Sequence, residues 1–87
     1  MPSIYIIVEN GDIYPDTYSS YKAAVAGVKA RHVEELERQI HEVQHLDMVE
    51  EILSQINVAE SADGKTQLYI EKGINIYIYR MTINFAT

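Results

Sequence analysis

Residues 4–14 read IYIIVENGDIY, and the Asn10-Gly11 step inside that stretch decides how the fold begins. Asn-Gly between alternating apolar residues is the strongest short hairpin signal, because a type I′ turn needs positive φ at both central positions. The turn pairs Glu9 with Asp12, Val8 with Ile13 and Ile7 with Tyr14. Cross-strand partners share a face. Ile4, Ile6, Val8 and Ile13 therefore line one side of the hairpin, and Tyr5, Ile7 and Tyr14 line the other. The aliphatic side is the one expected to meet the core.

Downstream the pattern changes from strand to helix. Asp16, Thr17 and Ser19 are good N-cap types. At about 100° per residue, Tyr21, Val25, Val28, His32, Leu36, Ile40 and Val43 fall on one apolar stripe running from residue 18 to 45. Val49, Leu53 and Ile56 point away from it. A break near His45-Leu46 accounts for the drift, and Asp47 with Glu50 supplies a capping pair for a second helix over residues 48–57. Gly27 lies on the polar side of the first helix. It either costs about 1 kcal/mol relative to alanine there or marks another break.

The last third is β again. Asp63-Gly64 is a further hairpin signal, with a short strand over residues 58–61 before it. Glu71-Lys72-Gly73 suits a three-residue turn with glycine in the left-handed position. That turn pairs Ile70 with Ile74 and Leu68 with Ile76. Leu68, Ile70, Ile74, Ile76 and Ile78 then share one face, and Tyr69, Tyr77 and Tyr79 the other. The expected fold is α+β, a single domain over residues 1–87: two β-hairpins flank a helical middle (ββ-α-α-ββ, with room for one extra short strand), and the helices pack on the aliphatic face of an antiparallel sheet.

Composition narrows the function. Eighty-seven residues hold one small core, and there is no cysteine for disulfides or thiolate metal sites. The apolar run at the start stops at Glu9, far short of the roughly 20 residues of a membrane span. An intracellular, cytoplasmic protein without a membrane segment is expected. The net charge is −6, and all of it arises between Arg31 and Glu60, where eight acids face two arginines. A generic nucleic-acid binder needs the opposite sign, so no direct nucleic-acid contact is expected.

One motif resembles an enzyme's. HEVQH, residues 41–45, has the His-Glu-x-x-His spacing of zinc peptidases, with His41 and His45 one helical turn apart and Glu42 placed to activate water. The resemblance covers five residues, and the departures begin at once. Arg38 and Asp47 stand where those enzymes usually carry Val or Thr and an apolar residue, and Met48 and Glu51 replace the glycine and third histidine of the metzincin extension. In the helical frame His41 and His45 also lie opposite the apolar stripe. They are weak metal candidates, and a small zinc-dependent hydrolase is only the alternative reading. His32 lies within the stripe and reads as a core-edge histidine with one satisfied nitrogen. No serine, cysteine or second carboxylate can be placed beside it, and no phosphate or dinucleotide fingerprint is present. Neither catalytic residues nor a cofactor are expected.

Two surfaces remain. Tyr5, Tyr14, Tyr69, Tyr77 and Tyr79 project opposite the aliphatic core, and Met81, Ile83 and Phe85 continue that parity along a strand of up to 12 residues. Tyrosine suits half-exposed strands in any protein, yet a contiguous apolar patch usually marks an interface. Self-association through this face, most simply a homodimer, is the expectation, and a self-assembling structural subunit is a further alternative. The second surface is acidic: Glu34, Glu35, Glu37, Glu42, Glu50 and Glu51 offer carboxylates to a basic partner protein. Size and charge are similar to those of small acidic viral and phage proteins that block nucleic-acid-handling enzymes, although no motif identifies such a family. The expected function is thus a non-catalytic protein-binding module, in its most specific form a viral or phage accessory inhibitor of such an enzyme.

Overall fold

The computed structural model describes residues 3–42 and 46–82. Its elements run β1 (Ser3–Glu9), β2 (Asp12–Ile13), α1 (Tyr21–Arg31), α2 (Val33–Glu42), α3 (Leu46–Ile56), β3 (Lys65–Tyr69) and β4 (Asn75–Thr82). The strands form one antiparallel sheet in the order β2-β1-β4-β3, with all three helices on one face. This is the α+β fold expected from the sequence.

The first turn forms as its sequence dictates. Asn10 and Gly11 have φ of 50° and 88°, and Val8 pairs with Ile13 and Glu9 with Asp12. Tyr14 N–H donates to the Ile7 carbonyl at 2.8 Å. The segment after β2 then hooks back along β1, where Tyr5 and Tyr18 exchange backbone hydrogen bonds of 2.8 and 2.9 Å. The last turn is also as read: Gly73 has φ of 90°, and Leu68 pairs with Ile76. The middle β signal is not a hairpin. Residues 58–61 form no strand, and Asp63 instead caps the start of β3 by accepting from Lys65 N–H and the Ser61 hydroxyl.

The long apolar stripe is divided between two helices. Ser20 caps α1 in place of the expected Asp16, Thr17 or Ser19, accepting from Ala23 N–H at 3.1 Å. The helix then ends at Arg31 rather than continuing to residue 45, with His32 as its C-cap. The stripe still faces the core across this joint: Val25, Val28, His32 and Leu36 are buried. Gly27 does not break α1. A Cβ there would stand 2.5 Å from the Tyr18 hydroxyl oxygen, so the glycine makes room for a phenol ring. The expected break near His45-Leu46 falls on residues 43–45, outside the described residues; α2 is described to Glu42 and α3 from Leu46, two residues before the predicted start.

The main departure is the face β1 turns to the core. β1 pairs antiparallel with β4, Ile7 opposite Ile78 and Glu9 opposite Ile76. Tyr5 and Ile7 therefore join Leu68, Ile76 and Ile78 beneath the helices, all buried. Ile4, Ile6, Val8 and Ile13 face the other way. A one-residue change of parity moves a whole strand face, and nothing inside the first hairpin fixes which face meets the helices.

Candidate interaction surface

The register defines the outer face of the sheet residue by residue. From β1 and β2 come Ile4, Ile6, Val8 and Ile13; from β4 come Asn75, Tyr77, Tyr79 and Met81; from β3 come Lys65, Gln67 and Tyr69. Ile6 lies opposite Tyr79 and Val8 opposite Tyr77, so the two central strands carry an unbroken apolar band. At its edges Ile13, Tyr69 and Met81 are 63%, 46% and 48% exposed. Among the described residues Lys65 is the face's single charged one, with its ammonium 5.1 Å from the Tyr77 ring and 6.0 Å from that of Tyr79. No carboxylate points outward from the four strands.

This surface shares only part of the expected tyrosine face. Tyr69, Tyr77 and Tyr79 belong to it. Tyr5 and Tyr14 do not: they are 9% and 6% exposed, on the helix side. Each has a polar partner for its phenol, which is what lets a tyrosine be buried. Tyr5 donates to Glu60 at 3.0 Å and packs edge-on against Tyr21, while Tyr14 donates to Glu9 at 2.7 Å. Ile83 and Phe85 lie outside the described residues.

Inside the domain, the polar groups join elements. His32, 5% exposed, places Nε2 2.5 Å from a Glu9 carboxylate oxygen, with the Tyr14 hydroxyl 3.5 Å from the same nitrogen. Nδ1 has no hydrogen-bond partner, and Glu35 stands 3.7 Å from it. The Arg31 guanidinium lies over the Tyr14 ring at 4.4 Å. Burial would raise the Glu9 carboxyl, but hydrogen bonds from Tyr14 and His32 outweigh it and hold the carboxyl below its ordinary value. Burial, then the Glu9 carboxylate, pushes the Tyr14 phenol well above its usual range. His32 is thus a core-edge histidine with one bonded nitrogen, fastening the α1–α2 joint to the first hairpin. A second junction joins Glu60 to Tyr5 and Arg80, the latter at 2.9 Å, and Arg38 pairs with Glu71 to tie α2 to the last turn.

Of the acidic residues, Glu34, Glu37, Glu42, Glu50 and Glu51 are exposed, and none takes part in an ion pair among the described residues. Glu35 is half-buried and turned toward His32, so it is not part of that outward surface. His41 and Glu42 are exposed on α2, and His45 lies outside the described residues. Among the described residues no three side chains converge as metal ligands, and no helix is long and apolar enough to cross a membrane.

The aliphatic half of the open face was missed because Ile4, Ile6 and Val8 look like core. The missed signal was His32. A histidine in an apolar stripe needs a polar partner, and Glu9, two residues beyond Ile7, can serve only if the odd-numbered side of β1 faces inward. No family model matches the chain, and neither the curated proteins nor the solved structures contain a match to it.

Proposed function

We propose that this protein is a non-catalytic binding module whose contact surface is the open face of its sheet. The observation that carries the reading is the pairing of Ile6 with Tyr79 and Val8 with Tyr77 on the uncovered side, within a face bearing one charge. Strands of 7, 2, 8 and 5 residues in sheet order, with about 4.8 Å between neighbours, give roughly 350 Å² of such surface. That is as large as the biggest apolar patch of an ordinary monomer, and such patches are usually functional. Tyrosine supplies wide, stiff contact area at low entropic cost, which suits a recognition surface. The ionisable groups on the helix side support the same reading, since Glu9, His32, Glu60 and Arg80 are engaged in joining elements.

A second surface is favoured by the five exposed glutamates on α2 and α3, none of them in an ion pair among the described residues. They suit a basic partner protein, including a nucleic-acid-handling enzyme blocked by a viral or phage accessory protein. One comparison separates the two surfaces. Immobilised wild type, Ile6→Glu and a Glu34→Gln, Glu37→Gln, Glu42→Gln variant are offered the same lysate, and retained proteins are quantified. Loss of the partner with Ile6→Glu alone supports the sheet face. Loss with the glutamine variant alone moves the working surface to the helices.

A further inference from the structure

We infer that the open sheet face is covered by a second copy of this chain, packed about a two-fold axis parallel to the strands. The inference rests on the reading just given and names its partner. The face has two unlike halves: Ile4, Ile6 and Val8 on β1 are aliphatic, while Tyr77 and Tyr79 on β4 are aromatic. A two-fold axis above the β1–β4 boundary lays each half on its opposite. Ile6 of one copy then meets Tyr79 of the other, and Tyr79 of the first meets Ile6 of the second. That reciprocity is what an isologous interface requires. Sheets stack face to face about 10 Å apart at roughly 30°, a spacing that side chains of this size fill.

Charge selects the same occupant. Each copy carries −6, yet among the described residues this face contributes only Lys65, so its four strands can meet a second copy without burying a carboxylate, and the acidic helices point away from each other. Single-stranded nucleic acid could stack on the tyrosines but would find one cation for its phosphates. Two faces of this size bury roughly 700 Å², below the roughly 1,200 Å² of a standard specific interface, so the dimer is weak and is expected to dissociate in the upper micromolar range.

Analytical ultracentrifugation from about 5 to 500 µM tests this across that range, using wild type, Ile6→Glu, Tyr79→Glu and the helix-face control Glu37→Gln. Circular dichroism verifies that each variant is folded. The expected result is a concentration-dependent dimer, unchanged in Glu37→Gln and weakened about 100-fold or more by a glutamate set in the apolar centre. Mixing isotope-labelled with unlabelled protein should give contacts between Ile6 and Tyr79 of different copies. A wild type that stays monomeric throughout, while Ile6→Glu still loses a captured protein, overturns the second copy and leaves the sheet face as a binding surface. A dimer untouched by both glutamates overturns the second copy on this face, and if Ile6→Glu also keeps every captured protein, that reading falls with it.

Discussion

At the scale of single residues, the informative position is Glu9, a carboxylate on the inward side of a strand. It accepts from Tyr14 and contacts His32, and these partners hold its proton less tightly than the unfolded chain does. The unfolded state therefore takes up protons first as the pH falls, and stability drops with it. The Glu9 contribution is complete above its ordinary value of 4.5 and is lost as pH falls through the lower folded value. Glu9→Gln should cost about 1–2 kcal/mol at pH 7, the lower part of the range for disturbing a hydrogen-bonded group, since Glu9 is half-buried. Urea midpoints of the two proteins should then converge in acid. A gap that persists unchanged at pH 3 would show that the carboxylate's charge is not what matters there.

At the scale of elements, the local signals were readable and the long-range one was not. Asn10-Gly11 and the Glu71–Gly73 turn gave their registers because a two- or three-residue turn fixes pairing on its own. The buried stripe of Val25, Val28, His32 and Leu36 was legible from periodicity, while the end of α1 at Arg31 was not. The backbone can change direction at His32 and still keep Leu36 inward. Asp63-Gly64 misled because a turn residue pair punctuates a chain without saying what lies on both sides. The face of β1 depended on β4, a partner more than half the sequence away, and it determined the candidate site: Tyr69, Tyr77 and Tyr79 were found, whereas Tyr5 and Tyr14 were misplaced. The inverted parity gives a direct contrast. Ile7 is fully buried, so Ile7→Ala should cost about 3–4 kcal/mol. Ile6→Ala, in dilute protein, should cost less than about 1 kcal/mol. Chemical denaturation of the pair checks it, and equal losses would contradict the register of β1 against β4.

At the scale of the whole molecule, charge and apolarity are separated onto different sides. The acids responsible for the net charge lie on α2, α3 and the segments around them, whereas the outer sheet face carries Lys65 alone. Salt should therefore act in opposite senses on the two surfaces. Two copies of −6 repel as they approach, so screening should strengthen self-association between about 20 and 300 mM salt. Binding of a basic protein to Glu34, Glu37 and Glu42 should weaken over the same range. Sedimentation and titration calorimetry across that series separate the two, and self-association that weakens with salt would point to a polar contact in place of the apolar face.

The pairing of Ile7 with Ile78 bears on how the protein comes to be made. The two strands at the centre of the sheet come from opposite ends of the described chain, and the buried partners of Ile7 arrive only with β4. While the ribosome is still adding that strand, the IYIIV segment has its turn and its β2 neighbour but no core to enter. Closing such a distant contact is slow on the scale of small domains, and an unpaired apolar strand invites mispairing in the interval. Emergence of β4, more than any local nucleus, is the event that permits this sheet to close.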